Sequence, residues 1–139
     1  MIYPTPGVLA TKPPPKSGDS IFLRLEGLPS FKEISRSIRN KSHRNYQAFA
    51  RLREAAIDLM DGRECYYGAI RLELCLHAPE LKRPLSDYAA GIEDSLDGSH
   101  GPTFTYLPIC YQDDCQVCQW SMEFVRSTIT FYTLNVTFL

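Results

Sequence analysis

Between Ile70 and His77 the apolar residues Ile70, Leu72, Leu74 and Leu76 alternate without a break with Arg71, Glu73, Cys75 and His77, and Pro79 stops the run. A period of two is that of a strand with one face covered and the other turned to water. Such a strand cannot stand alone, so the rest of the chain must supply neighbours in a sheet and a layer to cover it. A second alternation, Ile21, Leu23 and Leu25 against Phe22, Arg24 and Glu26, ends at Gly27 and Pro29. Two more strands are predicted near 115–125 and 128–138, turning at Arg126-Ser127.

Elsewhere the period changes. Tyr46, Phe49, Ala50, Ala56, Ile57 and Met60 approximate helical spacing, with Ser42 or Asn45 as the N-cap and Gly62 as the close. A second helix is predicted just after Pro84, placing Leu85, Tyr88, Ala89, Ile92 and Leu96 on one face, and 98–102 reads as a loop. The order β-α-β-α-β-β predicts an α+β fold, two main helices on a small mixed sheet. The 139 residues suit one domain. Residues 1–18, with Pro4, Pro6 and Pro13-Pro14-Pro15, read as a flexible arm ahead of a domain over 19–139. The first 18 residues contain no apolar core of a secretory signal, and no apolar run spans a bilayer. Five cysteines cannot all pair within one chain, which points to a reducing cytoplasm.

The net charge of −1 conceals a polarity. From Phe31 to Arg53, Lys32, Arg36, Arg39, Lys41, Arg44, Arg51 and Arg53 face only Glu33; from Glu80 onward, eight acids face Lys82, Arg83 and Arg126. Such a chain can hold a polyanion at one pole and a cation at the other, although solvated helix faces produce the same composition. Lys32, Arg36, Arg39, Lys41 and Arg44, interleaved with Asn40, Ser42, His43, Asn45 and Tyr46, suit phosphate contacts that position DNA without reading its sequence. Lys82 and Arg83 join them beside the acidic residues of the second helix.

Asp87, Asp113 and Asp114 are the candidate metal ligands and catalytic residues, with Asp94 a turn or two beyond Asp87. Magnesium-dependent phosphodiester hydrolysis needs hard oxygen donors, usually at least two carboxylates, to hold the ion while it keeps several waters. In an extended segment, Asp113 and Asp114 would point to opposite sides, so one of the pair reaches an ion. In the competing reading Asp87 caps the helix, Asp113-Asp114 makes a turn and no metal binds.

The combination of the opening strand into Gly27-Leu28-Pro29-Ser30, the basic loop and helix with Tyr46, the strand Ile70–Leu76, the helix with Asp94-Ser95-Leu96, and Tyr111-Gln112-Asp113-Asp114-Cys115-Gln116-Val117 resembles the RusA-type Holliday junction resolvases over roughly residues 20–139. The resemblance implies a RusA-like fold, a homodimer, binding to branched or duplex DNA in recombination and repair, and Mg2+ (or Mn2+) as cofactor. The family's helix start reads D-x-D-N-x-x-K followed by D-x-L. With D-x-L on Asp94-Ser95-Leu96, the two motif aspartates fall on Pro84 and Ser86, the asparagine on Asp87 and the lysine on Ala90. The resemblance with these departures implies junction binding with impaired nuclease activity. An active Mg2+-dependent endonuclease using Asp87, Asp113 and Asp114 is the alternative.

Outside nucleic acids, Cys110-x4-Cys115-x2-Cys118 matches three positions of an iron–sulfur ligand run and allows a cysteine-based metal or redox protein, with Cys65 or Cys75 as the fourth ligand. On a strand beginning at Cys115, however, Cys115 and Cys118 face opposite sides, and small buried hydrophobes explain cysteines on strands more simply. His43, His77 and His100 are too scattered for a zinc set, with His43 a DNA-contact candidate. Trp120 reads as core or dimer interface rather than a base-stacking platform.

Overall fold

A computed structural model of the chain describes residues 10–32, 44–97 and 107–139. It has the α+β order read from the pattern: β1 (Ser20–Glu26), α1 (Arg44–Met60), β2 (Ile70–Ala78), α2 (Leu85–Leu96), a 3-10 turn (Asp114–Gln116), β3 (Val117–Arg126) and β4 (Phe131–Phe138). The sheet order is β1-β4-β2-β3. β4 is antiparallel to both β1 and β2, and β2 and β3 are parallel, so the sheet is mixed.

The alternation in β2 does what its period requires. Leu72 lies between Val136 and Trp120, and Leu74 between Leu134 and Met122, while Ile70, Leu72, Leu74 and Leu76 are all buried. Leu52, Ala56 and Met60 of α1 and Tyr88, Ile92 and Leu96 of α2 join them in one apolar cluster with Ile21, Leu23 and Val136. The other face of the sheet is left to Phe22, which is 61% exposed, Arg24 and the polar residues of β2. Because β2 and β3 are parallel, α2 has to run back along the sheet between them. That return brings its C-terminal end beside the start of β3. Among the described residues, no helix is long and apolar enough to cross a membrane.

Several boundaries differ from the sequence reading, each for a local reason. β3 starts at Val117 rather than 115, because Asp113 and Gln116 close a capping box around the 3-10 turn. Asn45 does not cap α1. It lies inside the helix, where its side chain accepts from Phe31 N–H at 2.9 Å and donates to Phe31 C=O at 3.2 Å, pinning the β1–α1 loop. Ser42 lies outside the described residues, as do Arg36, Arg39, Lys41, His43 and His100. The close of α1 is as read: Asp61 and Gly62 take positive φ, and Gly62 C=O accepts from the N–H groups of Thr11 and Lys12.

The pinned loop lies hard against α2. Ser30, buried, donates through Oγ to Gly91 C=O at 2.9 Å and meets Ser95 Oγ at 2.8 Å. A Cβ at Gly91 would stand 2.3 Å from Ser30 O and 2.5 Å from Phe31 N, both backbone atoms. Replacing a glycine by alanine inside a helix normally stabilises by about 0.5–1 kcal/mol. Gly91→Ala is expected to reverse that sign and lower the unfolding free energy by about 1–3 kcal/mol, the usual range for overpacking. Equilibrium denaturation checks it, and a variant as stable as the parent would show that the loop does not press on α2.

Candidate functional site

α2 has two differently charged ends, each fixed by its own anchor. At the N-terminal end, Pro84 precedes the first turn with φ −58°, a value its ring already imposes. Asp87 C=O there accepts from Lys32 N–H at 2.7 Å. Arg83 lies over the Phe31 ring, 3.7 Å from its centroid, and its guanidinium is 4.0 Å from the Asp87 carboxylate. Tyr88 faces the same place from within the core: burial pushes its phenol pKa up, against the nearby positive charges of Arg83 and Arg44. Between these groups and α1 opens a cavity of about 300 Å³ lined by Arg44, Arg51, Lys82 and Arg83 together with Phe31 and Tyr88.

At the other end of α2 a buried arginine takes over. Arg53, only 1% exposed, donates to Ser95 C=O at 3.0 Å, Asp97 C=O at 3.3 Å and Leu107 C=O at 2.5 Å. Its sequence position reads as one more solvated base of the basic pole, whereas its charge is spent on the carbonyls that end α2. Those carbonyls carry the negative end of the helix dipole, which a buried cation offsets.

Beside that anchor, Asp94, Asp97 and Asp114 each place a carboxylate oxygen within 4.8 Å of the other two. Asp97 caps the C-terminal end of α2 three residues after Asp94, on the last turn, where the two carboxylates come close. Asp114 arrives from the 3-10 turn that precedes β3. Around the trio, Trp120 donates through Nε1 to Glu93 Oε2 at 2.9 Å, and Tyr111 O–H donates to Glu93 C=O at 2.9 Å. Burial pushes the Glu93 carboxyl pKa up; the Trp120 hydrogen bond pulls the other way, and Asp114 and Asp94 push it further up.

Of the three carboxylates read from the sequence, the structure brings Asp114 into this group and not the other two. Asp87 lies seven residues before Asp94, about 10 Å along the helix at 1.5 Å per residue. Asp113 accepts from Cys115 N–H at 3.0 Å, and that bond, together with contact to Asp114, holds its carboxyl below the usual range. Asp97 was not among the sequence candidates, although its i,i+3 relation to Asp94 was available. Three hard oxygen donors from two elements form a set that suits Mg2+ or Mn2+.

Of the basic candidates within the described residues, Arg44, Lys82 and Arg83 meet at the cavity, joined by Arg51. Lys32 is exposed on the loop beside α2. The cysteines do not assemble: Cys110 is buried with its thiol pushed up to about 12 by desolvation, while Cys115 and Cys118 are exposed. Among the described residues no three cysteines come within ligating distance of a common point. Comparison with models of known families and with curated proteins finds no match.

The raised Glu93 carboxyl has a consequence for stability. An acid whose pKa is higher in the folded than in the unfolded chain favours folding while protonated, and that contribution is lost as pH rises through the folded pKa. Glu93→Gln is therefore expected to be at least as stable as the parent at pH 7, and to lose the advantage below the ordinary glutamate range. Urea denaturation at the two pH values checks this. A glutamine variant clearly weaker at pH 7 would mean that the ionised carboxylate is a net stabiliser there.

Proposed function

We propose that this chain is a RusA-like protein that binds branched DNA in recombination or repair, with its nuclease chemistry impaired. The observation that carries the reading is the polarity of α2. Cationic side chains gather at its N-terminal end and a carboxylate trio at its C-terminal end, on elements in the order that the resemblance implies. Arg44, Lys82 and Arg83, with Lys32 nearby, take phosphates of the DNA backbone, and Arg36, Arg39 and Lys41 extend that basic run in sequence. Asp94, Asp97 and Asp114 would hold the divalent ion. Such an ion supplies charge neutralisation at a phosphate and an activated water.

Impairment follows from what stands at the start of the helix. Pro84 and Ser86 carry no carboxylate, and Ala90 has no charged group to stabilise a leaving oxygen. Losing one preorganised electrostatic group costs about a hundred- to a thousand-fold in rate. Ala90 lies on the same side of α2 as Asp87 and Asp94, three and four residues away, so a lysine there would reach between them.

The second reading, an active Mg2+-dependent endonuclease, is favoured by the trio itself, which replaces two of the three expected ligands with a set that does converge. Two copies of the chain suit a branched substrate with approximate two-fold symmetry. β3, an edge strand with Met122 39% exposed and Trp120 and Phe124 half-buried, is the surface we assign to their contact.

Three results are expected. A synthetic four-way junction is retained in a gel at low salt more tightly than linear duplex, with affinity falling steeply as salt rises. Arg44→Glu with Lys82→Glu abolishes that binding, and light scattering gives twice the 15.8 kDa chain mass. With Mg2+ or Mn2+ the junction is cut weakly or not at all, and Pro84→Asp, Ser86→Asp and Ala90→Lys together restore cutting. Equal affinity of parent and double variant would remove the DNA reading. Robust cutting by the parent, lost in Asp114→Asn, would replace impairment with the second reading.

A further inference from the structure

The cavity at the N-terminal end of α2 has more in it than a phosphate contact needs. Its volume of about 300 Å³ is some ten times the ~30 Å³ share of a water molecule. That is room for a phosphate and a ring together, at the lower end of small-ligand pockets. Four cations line it and, among the described residues, no carboxylate does. Among the described residues, Arg44 and Arg51 make no ion pair. The pairs of the other two are marginal: Lys82 with Glu80 at 3.7 Å, both well exposed, and Arg83 with Asp87 at 4.0 Å. Like charges converging on one cavity repel unless an anion enters.

The remaining wall is aromatic. Arg83 stands over Phe31 with its guanidinium carbon 3.7 Å from the ring centroid. Guanidinium planes and aromatic rings are the surfaces on which unstacked bases lie in single-strand recognition. Asn45 fixes Phe31 in place by two hydrogen bonds to its backbone, so this wall is held before any ligand arrives.

We propose that the cavity receives a single nucleotide, its phosphate among Arg44, Arg51 and Lys82 and its base against the Arg83–Phe31 pair. Resting on the DNA reading above, the occupant is one unpaired nucleotide at a branch point. A base inside a duplex cannot reach into a cavity without leaving its stack, and leaving is least costly where pairing is already broken. The chemistry is shared by a free mononucleotide, and the two sources are separable.

The test uses the full chain and three probes in calorimetry: deoxyadenosine 5′-monophosphate, deoxyadenosine and inorganic phosphate. The monophosphate is expected to bind at least tenfold more tightly than either part. Arg51→Glu, at an exposed position, is expected to weaken it at least tenfold. Phe31→Leu is expected to bring it down to the affinity of phosphate while leaving phosphate unchanged. Phosphate binding as tightly as the monophosphate, no binding of the monophosphate, or indifference to Arg51→Glu would each overturn the proposal.

A four-way junction carrying 2-aminopurine at an unpaired position of the branch tells the sources apart. A change in its fluorescence on binding, lost in Phe31→Leu, identifies the DNA strand as the source. Monophosphate binding without junction binding supports the cavity with free nucleotide as its occupant, and removes the DNA reading. Junction binding with no fluorescence change and no preference for the monophosphate overturns the cavity proposal and leaves the DNA reading standing.

Discussion

The buried guanidinium of Arg53 holds the far end of α2 in place, and the arrangement of the acidic residues depends on it. One side chain bonds three carbonyls from the end of the helix and from the segment at Leu107. Hydrogen bonds from a charged donor contribute about 1.5–3 kcal/mol each, and a buried carbonyl left without a partner costs a comparable amount. These bonds fall where α2 stops: Leu96 is followed by Asp97, whose backbone is extended and whose N–H still donates to Glu93 C=O.

That anchor also explains how three carboxylates can gather where the helix dipole disfavours them. Asp94 and Asp97 lie at the negative end of α2, and Asp114 is added to them from the turn before β3. A buried positive charge on the carbonyls offsets part of this accumulation, and a divalent ion would offset the rest. The opposite end of the helix has the complementary problem, with four cations around one cavity. Each end of α2 thus carries an excess of one sign, and on the proposed reading an ion would relieve one and a phosphate the other.

The elements were legible in the sequence because their periods are clean. β2 alternates over its whole length, and the apolar positions of α2 are spaced for a helix. What the sequence did not disclose depends on long-range placement. Arg53 looks like its basic neighbours until the fold puts it beneath the end of α2. Asp87 and Asp114 look like partners until the parallel pairing of β2 and β3 carries Asp114 to the other end of the helix. The start of β3 was misjudged because Asp113 and Gln116 satisfy each other's backbone groups locally, which favours a turn over two more residues of strand. Asn45 has the chemistry of a cap and was used instead to fasten a loop. The Asp94–Asp97 pair was readable from its three-residue spacing across the end of the helix, and only its third member needed the fold.

On the proposed reading, a divalent cation binds at the C-terminal end of α2, displaced from the start of the helix where the family resemblance puts it. Anomalous diffraction from crystals grown with Mn2+ locates that site directly. The account requires a manganese peak among the carboxylates of Asp94, Asp97 and Asp114. A peak beside Asp87, or crystals saturated with Mn2+ that show none at the trio, would contradict it.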